Sequence, residues 1–178
     1  RYRGGCDDLL KETFMAFVIT TPNMVGAQPI AETRTDQKHP LGTKVEAYDA
    51  SLGYGEFVYL TGVASTVLGS VVFVNKADHV TSLAAAAGGR GDLATAMSIN
   101  LASSYGWYQV YGKGVAKVLA AFADNADCYL TATAGSIDDA DVSGDLIIGM
   151  KGASAIDTPS TGLAYIEMNY PSVAGVAD

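Results

Sequence analysis

WYQVYGKGVAKVL, from Trp107 to Leu119, is the stretch on which the fold class turns. Aromatic and branched residues flank Gly112-Lys113-Gly114, and Tyr108 and Val110 alternate with their neighbours across a pleat. Two glycines at a tight connection supply positive φ wherever it is needed. The spacing therefore predicts a β-hairpin of half-buried strands with Gly112-Lys113-Gly114 as its turn. Outward from it, short runs rich in Val, Ile and aromatic residues repeat between turn-forming residues. Strands are predicted near Thr43–Tyr48, Glu56–Thr61, Ser70–Val74, Thr95–Leu101, Tyr105–Tyr111, Gly114–Phe122, Cys128–Thr133, Asp145–Lys151 and Leu163–Tyr170. Leu83-Ala84-Ala85-Ala86-Ala87 reads as one or two helical turns ended by Gly88-Gly89. The expectation is an all-β fold, a compact β-sandwich or β-barrel with an extended N-terminal arm.

The arm is read from proline. Met15 to Leu41 is polar and carries Pro22, Pro29 and Pro40, with Phe17-Val18-Ile19 as its one strong apolar run. Proline lacks an N–H and restrains the residue before it, which fits an extended segment and not a central strand. The domain reading is an N-terminal extension and arm over residues 1–41 and a β-rich domain over 42–178. Residues 1–14 hold six charges and no apolar run, so they do not read as an intact signal peptide. Phe57 to Val74 is uncharged and long enough to span a bilayer as a helix. Thr61-Gly62 and Gly69-Ser70 divide it, and its Val and aromatic content favours strands, so no membrane is expected.

The chain has 178 residues, is 49% hydrophobic and 17% charged, and carries a net charge of −8. That balance excludes a disordered chain and is ample for a buried core. A sequence pI of about 4.6 argues against a nucleic-acid partner, which requires basic charge to displace counterions. From Arg1 to Val118 acidic and basic residues balance at ten each; from Leu119 onward nine acids face the single base Lys151. The 20 glycines and 27 alanines fit either a small-residue barrel core or a flat contact with a neighbour. Cys6 and Cys128 stand far apart and read as free thiols in a reducing compartment.

Few residues are spaced for chemistry. His39 and His79 lie in polar contexts without a nucleophile or an orienting carboxylate, and read as surface-loop residues. Gly88-Gly89-Arg90-Gly91 and Gly112-Lys113-Gly114 lack the Lys-Ser/Thr ending of a phosphate loop. Arg90-Gly91-Asp92 spells an integrin tripeptide, but reads more simply as a flexible Gly-rich turn. Asp139, Asp141 and Ser143 before Gly144 copy the first half of a calcium loop. The bidentate Glu expected at the twelfth position is Met150, and a strand-like Leu146-Ile147-Ile148 replaces the helix. Asp139, Asp141 and Asp145 are the only candidate cation ligands, and a solvated acidic turn with no metal is expected. No cofactor and no enzyme activity are expected. The aromatic cluster Tyr105-Gly106-Trp107-Tyr108 is the one dense enough to stack a sugar, although strand aromatics are more often core.

Several longer phrases together carry a resemblance. FVITTPNMVGAQPIAET, HPLGTKVEAYDASLGYGEFVYLTG, AMSINLASSYGWYQVYGKGVAKV, CYLTATAGSIDDADVSGDLIIGMKGASA and AYIEMNYPSV follow one another between Met15 and Val173. In order and wording they resemble the capsid decoration (cement) proteins of tailed bacteriophages. The resemblance implies a β-rich structural virion protein made in the host cytoplasm. It would sit on the outer surface of the head, bind the major capsid protein and act as a homo-oligomer. It also implies a chain beginning near Met15, with residues 1–14 as an extension. On that reading the arm contacts the capsid or a neighbouring subunit through Phe17 and Ile19, with Arg34, Lys38 and Lys44 as polar anchors. The competing reading is a carbohydrate- or receptor-binding β-sandwich, assisted by calcium at the acidic turn.

Overall fold

The computed structural model describes residues 15–21, 26–86, 89–141 and 145–173. Its strands in chain order are β1 (Val18–Ile19), β2 (Lys44–Asp49), β3 (Gly53–Thr61), β4 (Val71–Val74), β5 (Thr81–Leu83) and β6 (Gly91–Ala96). They continue with β7 (Tyr105–Lys117), β8 (Asp127–Leu130), β9 (Ile137–Asp138), β10 (Leu146–Gly152) and β11 (Leu163–Val173). All eleven join one antiparallel sheet, in the order β1-β2-β3-β7-β6-β11-β10-β8-β9, with β4 added on β6 and β5 on β4. The fold is all-β, and no α-helix occurs among the described residues. Leu83, expected to open a helical turn, instead ends β5. The uncharged run Phe57–Val74 falls into β3 and β4, and no helix among the described residues is long and apolar enough to cross a membrane.

The predicted hairpin at Gly112-Lys113-Gly114 is not formed. β7 runs unbroken through those residues for 13 positions. What changes there is its partner. Up to Gly112 the strand pairs with β3 and β6, and from Tyr111 to Lys117 it pairs with β11. Gly112 bends the strand at φ +94°, and an added Cβ would lie 2.3 Å from the carbonyl oxygen of Tyr54. Glycine is required here for close strand approach, not for chain reversal. The Gln109 side chain bridges the bend, donating from Nε2 to the carbonyls of Tyr111 and Lys113 at 3.1 Å each.

Each of β6, β7 and β11 pairs with the other two. β6 meets β7 at Thr95–Gln109 and meets β11 at Asp92–Ser172, while β11 meets β7 over seven residue pairs. This three-way ring divides the interior into three clusters. The largest contains Leu93, Phe122, Leu130, Ile137, Ile147 and Ile166 and lies under the later strands. The other two cover opposite faces of the β3–β7 pair: Phe57, Tyr59 and Trp107 on one, Val58, Leu60 and Tyr108 on the other. The middle of β7 is thus buried on both faces, not half-buried as its alternation predicts. Consecutive apolar residues, as in Phe57-Val58-Tyr59-Leu60, are the mark of such strands.

The segment read as an arm lies along the sheet. Ile30 is buried against Phe57, Tyr59 and Trp107. The Gln28 carbonyl accepts from Trp107 Nε1 at 2.8 Å, and its side-chain oxygen accepts from the Tyr59 hydroxyl at 2.8 Å. His39 is no surface-loop residue: its half-buried ring stands 5.0 Å from that of Tyr59 and 5.4 Å from that of Trp107. Its Nε2 accepts the Gln28 N–H at 3.1 Å, so it is neutral in the folded chain. Burial lowers its pKa below the ordinary 6.5. The unfolded chain therefore binds the proton first, and stability falls as pH drops below about 6.5 toward the folded pKa. Between pH 7 and 5 the melting temperature should fall less steeply in His39→Gln than in the parent chain. An unchanged slope would remove His39 as the cause.

Candidate interaction surface

The outer face of β1, β2, β3, β7 and β11 is lined with aromatic rings. Sheet register produces it. Val18 lies opposite Tyr48, and Tyr48 lies opposite Tyr54, so these three cross the edge of the sheet in a row. Two residues further along the ladder Glu46 faces Glu56, and Glu56 faces Tyr111 on β7. Tyr170 of β11 completes the row. Tyr48 and Tyr54 pack with ring centroids 5.0 Å apart, and Tyr111 and Tyr170 at 5.7 Å. All four rings remain at least two-fifths exposed, and Tyr54 is 64% exposed.

The polar atoms of this face are organised. The Tyr170 hydroxyl donates to Glu56 Oε2 at 2.6 Å, and that bond pushes its pKa up to about 12. A phenol so held keeps its proton through the physiological range and fixes its ring. Lys44 places Nζ 5.9 Å from the centroid of the Tyr170 ring. Glu46 and Glu56 are like charges directly across a ladder, which costs stability unless a cation approaches. Rigid amphipathic rings around a few fixed polar atoms lose little entropy on contact, the property that enriches tyrosine at binding surfaces.

The residues expected to carry contacts are distributed differently. Phe17 and Ile19 turn inward, Phe17 packing edge-on with its ring centroid 5.0 Å from that of Phe57, and only Val18 between them faces out. Arg34 pairs with Glu32 at 2.8 Å, and Lys38 pairs with Asp36. Of the five, Lys44 alone stands on the tyrosine face. Trp107 and Tyr108 are fully buried, which removes the Tyr105–Tyr108 cluster as a stacking platform. Among the described residues the exposed rings are Tyr48, Tyr54, Tyr111 and Tyr170 instead. Their signal in the sequence was alternation, as in Val45-Glu46-Ala47-Tyr48, where the second and fourth residues face out.

The acidic segment is engaged with its own fold. Asp139 Oδ2 accepts the Ala123 N–H at 3.0 Å, and Asp145, buried, lies 3.5 Å from Arg90. Asp141 is exposed, and Ser143 and Gly144 lie outside the described residues. Burial, reinforced by neighbouring Asp139, raises the Asp138 pKa. Among the described residues no three His, Cys, Asp or Glu side chains are grouped to hold a metal ion. Arg90-Gly91-Asp92 is not a free turn either: Arg90 faces Asp145, Asp92 pairs with Lys76, and Gly91 opens β6. Cys128 is a buried free thiol whose pKa burial pushes up to about 12, which leaves it inert; Cys6 lies outside the described residues. Compared with protein families, curated proteins and solved structures, the chain matches none.

Proposed function

We propose that this chain is a structural virion protein that docks on the outer surface of a tailed-phage head and stabilises its shell of major capsid protein. The observation that carries the reading is the tyrosine face: four exposed rings in two packed pairs, on a rigid antiparallel sheet, with Glu56 and Lys44 among them. Such a surface fits a flat protein partner. The order of sequence phrases from Met15 to Val173 supplies the class of partner. Many copies, each with a modest contact, would stabilise a shell by mass action and by repetition over the lattice.

Added to expanded, undecorated heads, the purified chain is expected to bind and to raise the temperature at which they open. The triple variant Tyr54→Ser, Tyr111→Ser, Tyr170→Ser should bind at least about tenfold more weakly while keeping its melting temperature within a few degrees. Absence of binding to any head would overturn the proposal. The same exposed rings beside a carboxylate favour a second reading, a carbohydrate-binding surface, because sugar faces stack on tyrosine. Under it the isolated chain would bind soluble glycans on an array, and the triple variant would lose that binding.

A further inference from the structure

Glu46 and Glu56 lie at the centre of the tyrosine face, directly opposite each other on β2 and β3. Two positions along the same ladder stand Tyr48 and Tyr54. On the other side Glu56 faces Tyr111 and accepts the Tyr170 hydroxyl. The two carboxylates are thus set between the two packed ring pairs. Glu46 is exposed and Glu56 half-buried. Among the described residues no lysine or arginine nitrogen comes within ion-pair distance of either. Lys44, beside them on β2, stands over the Tyr170 ring. Two carboxylates against one lysine leave the centre of the face one negative charge in excess, on a chain whose net charge is already −8. Between Thr21, Lys44, Glu46 and Glu56 the surface sinks into a hollow of about 210 Å³, which admits the end of one large side chain. Like charges opposite each other across a ladder destabilise the free chain, and a cation seated between them turns that repulsion into attraction.

We infer that this hollow receives an arginine side chain of the shell protein. Its guanidinium lies between the strands, donating to the Glu46 carboxylate and to Oε1 of Glu56, whose Oε2 is held by Tyr170. The flat face of the group rests on the neighbouring tyrosine rings. An ammonium fits less well. Lys44 already supplies one on this face without pairing either carboxylate, whereas a planar fork spans two acceptors and stacks at once. Because Tyr170 holds Glu56 in place beforehand, less side-chain freedom is lost at the moment of contact. The inference rests on the docking reading above and adds the partner's chemistry: a basic residue at the middle of a face that is otherwise aromatic.

Two measurements test it, one of which needs no heads. In the isolated chain, N-acetyl-arginine amide is expected to shift the ring resonances of Tyr54, Tyr111 and Tyr170. The probe is used at about 50 mM, where a site of about ten-millimolar affinity is mostly filled. N-acetyl-citrulline amide has the same shape without the charge, and N-acetyl-lysine amide has the charge without the planar fork. At the same concentration and ionic strength each should shift the rings less than half as far. No shift with the arginine probe, or a shift of half as much or more with either of the others, overturns the inference. With heads, Glu46→Gln and Glu56→Gln should each weaken binding by about tenfold without lowering the melting temperature. Glutamine keeps the shape, can still accept the Tyr170 hydroxyl, and relieves the repulsion between the strands. If the parent chain binds heads and both variants bind as well or better, the arginine contact is wrong and the docking reading stands. If the parent binds no head, the docking reading itself has failed.

Discussion

Gly112→Ala is expected to lower stability by about 3–4 kcal/mol, a fall in melting temperature of about 10 °C for a chain of this size. Two costs combine. At φ +94° an alanine side chain strains the backbone, for about 1 kcal/mol or more. Its Cβ would also stand 2.3 Å from the Tyr54 carbonyl oxygen and 3.0 Å from the Gly55 Cα, and backbone on a paired strand cannot swing aside as a side chain can. Gly53→Ala separates the two. Gly53 has φ +80° but nothing within 4 Å of the added carbon, so only the backbone cost of about 1 kcal/mol applies. Thermal denaturation of both variants is the measurement. Equal losses would mean that β3 and β7 part at Gly112 without resistance, and that the bend does not fix their spacing.

The second large effect is at Trp107. Trp107→Ala removes the largest fully buried side chain and should cost about 3–5 kcal/mol. Part of that loss is directional, since the Gln28 carbonyl would lose its indole donor. Trp107→Phe retains most of the ring volume and isolates that bond, for about 1–2 kcal/mol. Hydrogen exchange should rise first at Gln28 and Ile30, which the indole and its cluster hold against the sheet. A loss under about 1 kcal/mol in the alanine variant would show that the proline-punctuated segment is held by other contacts.

How much of this was legible in the sequence depended on the range of the interaction involved. Strands built on local alternation were legible: Thr43–Tyr48 and Asp145–Lys151 correspond to β2 and β10 with small shifts at the ends. β1, β5 and β9 were not, because two or three residues carry no period. β6 was displaced toward Gly91, since Thr95–Leu101 has strand-forming residues but the partners of β6 lie at Phe73, Gln109 and Ser172. Glycine misled at Gly112 because two different demands select the same residue, chain reversal and close approach, and only the partner strand distinguishes them. The interaction surface was hidden for a related reason. The Tyr48–Tyr54 hairpin, Tyr111 and Tyr170 are far apart in sequence and become neighbours only through strand pairing. Phe17 and Ile19 were assigned outward because an apolar run in a polar arm looks available until Phe57 is seen beneath it.

The three-way ring also bears on how the chain comes to be folded. β11 sits inside the sheet, between β6 and β10, and also pairs with β7, yet it is the last of the described strands to leave the ribosome. Until Leu163–Val173 emerges, β6, β7 and β10 wait with open edges, each a template for pairing with another nascent chain. Ring closure joins segments about 50 to 80 residues apart, so it is slow compared with local hairpins. The crowded polysome, more than the finished molecule, is where this architecture is most exposed to mispairing.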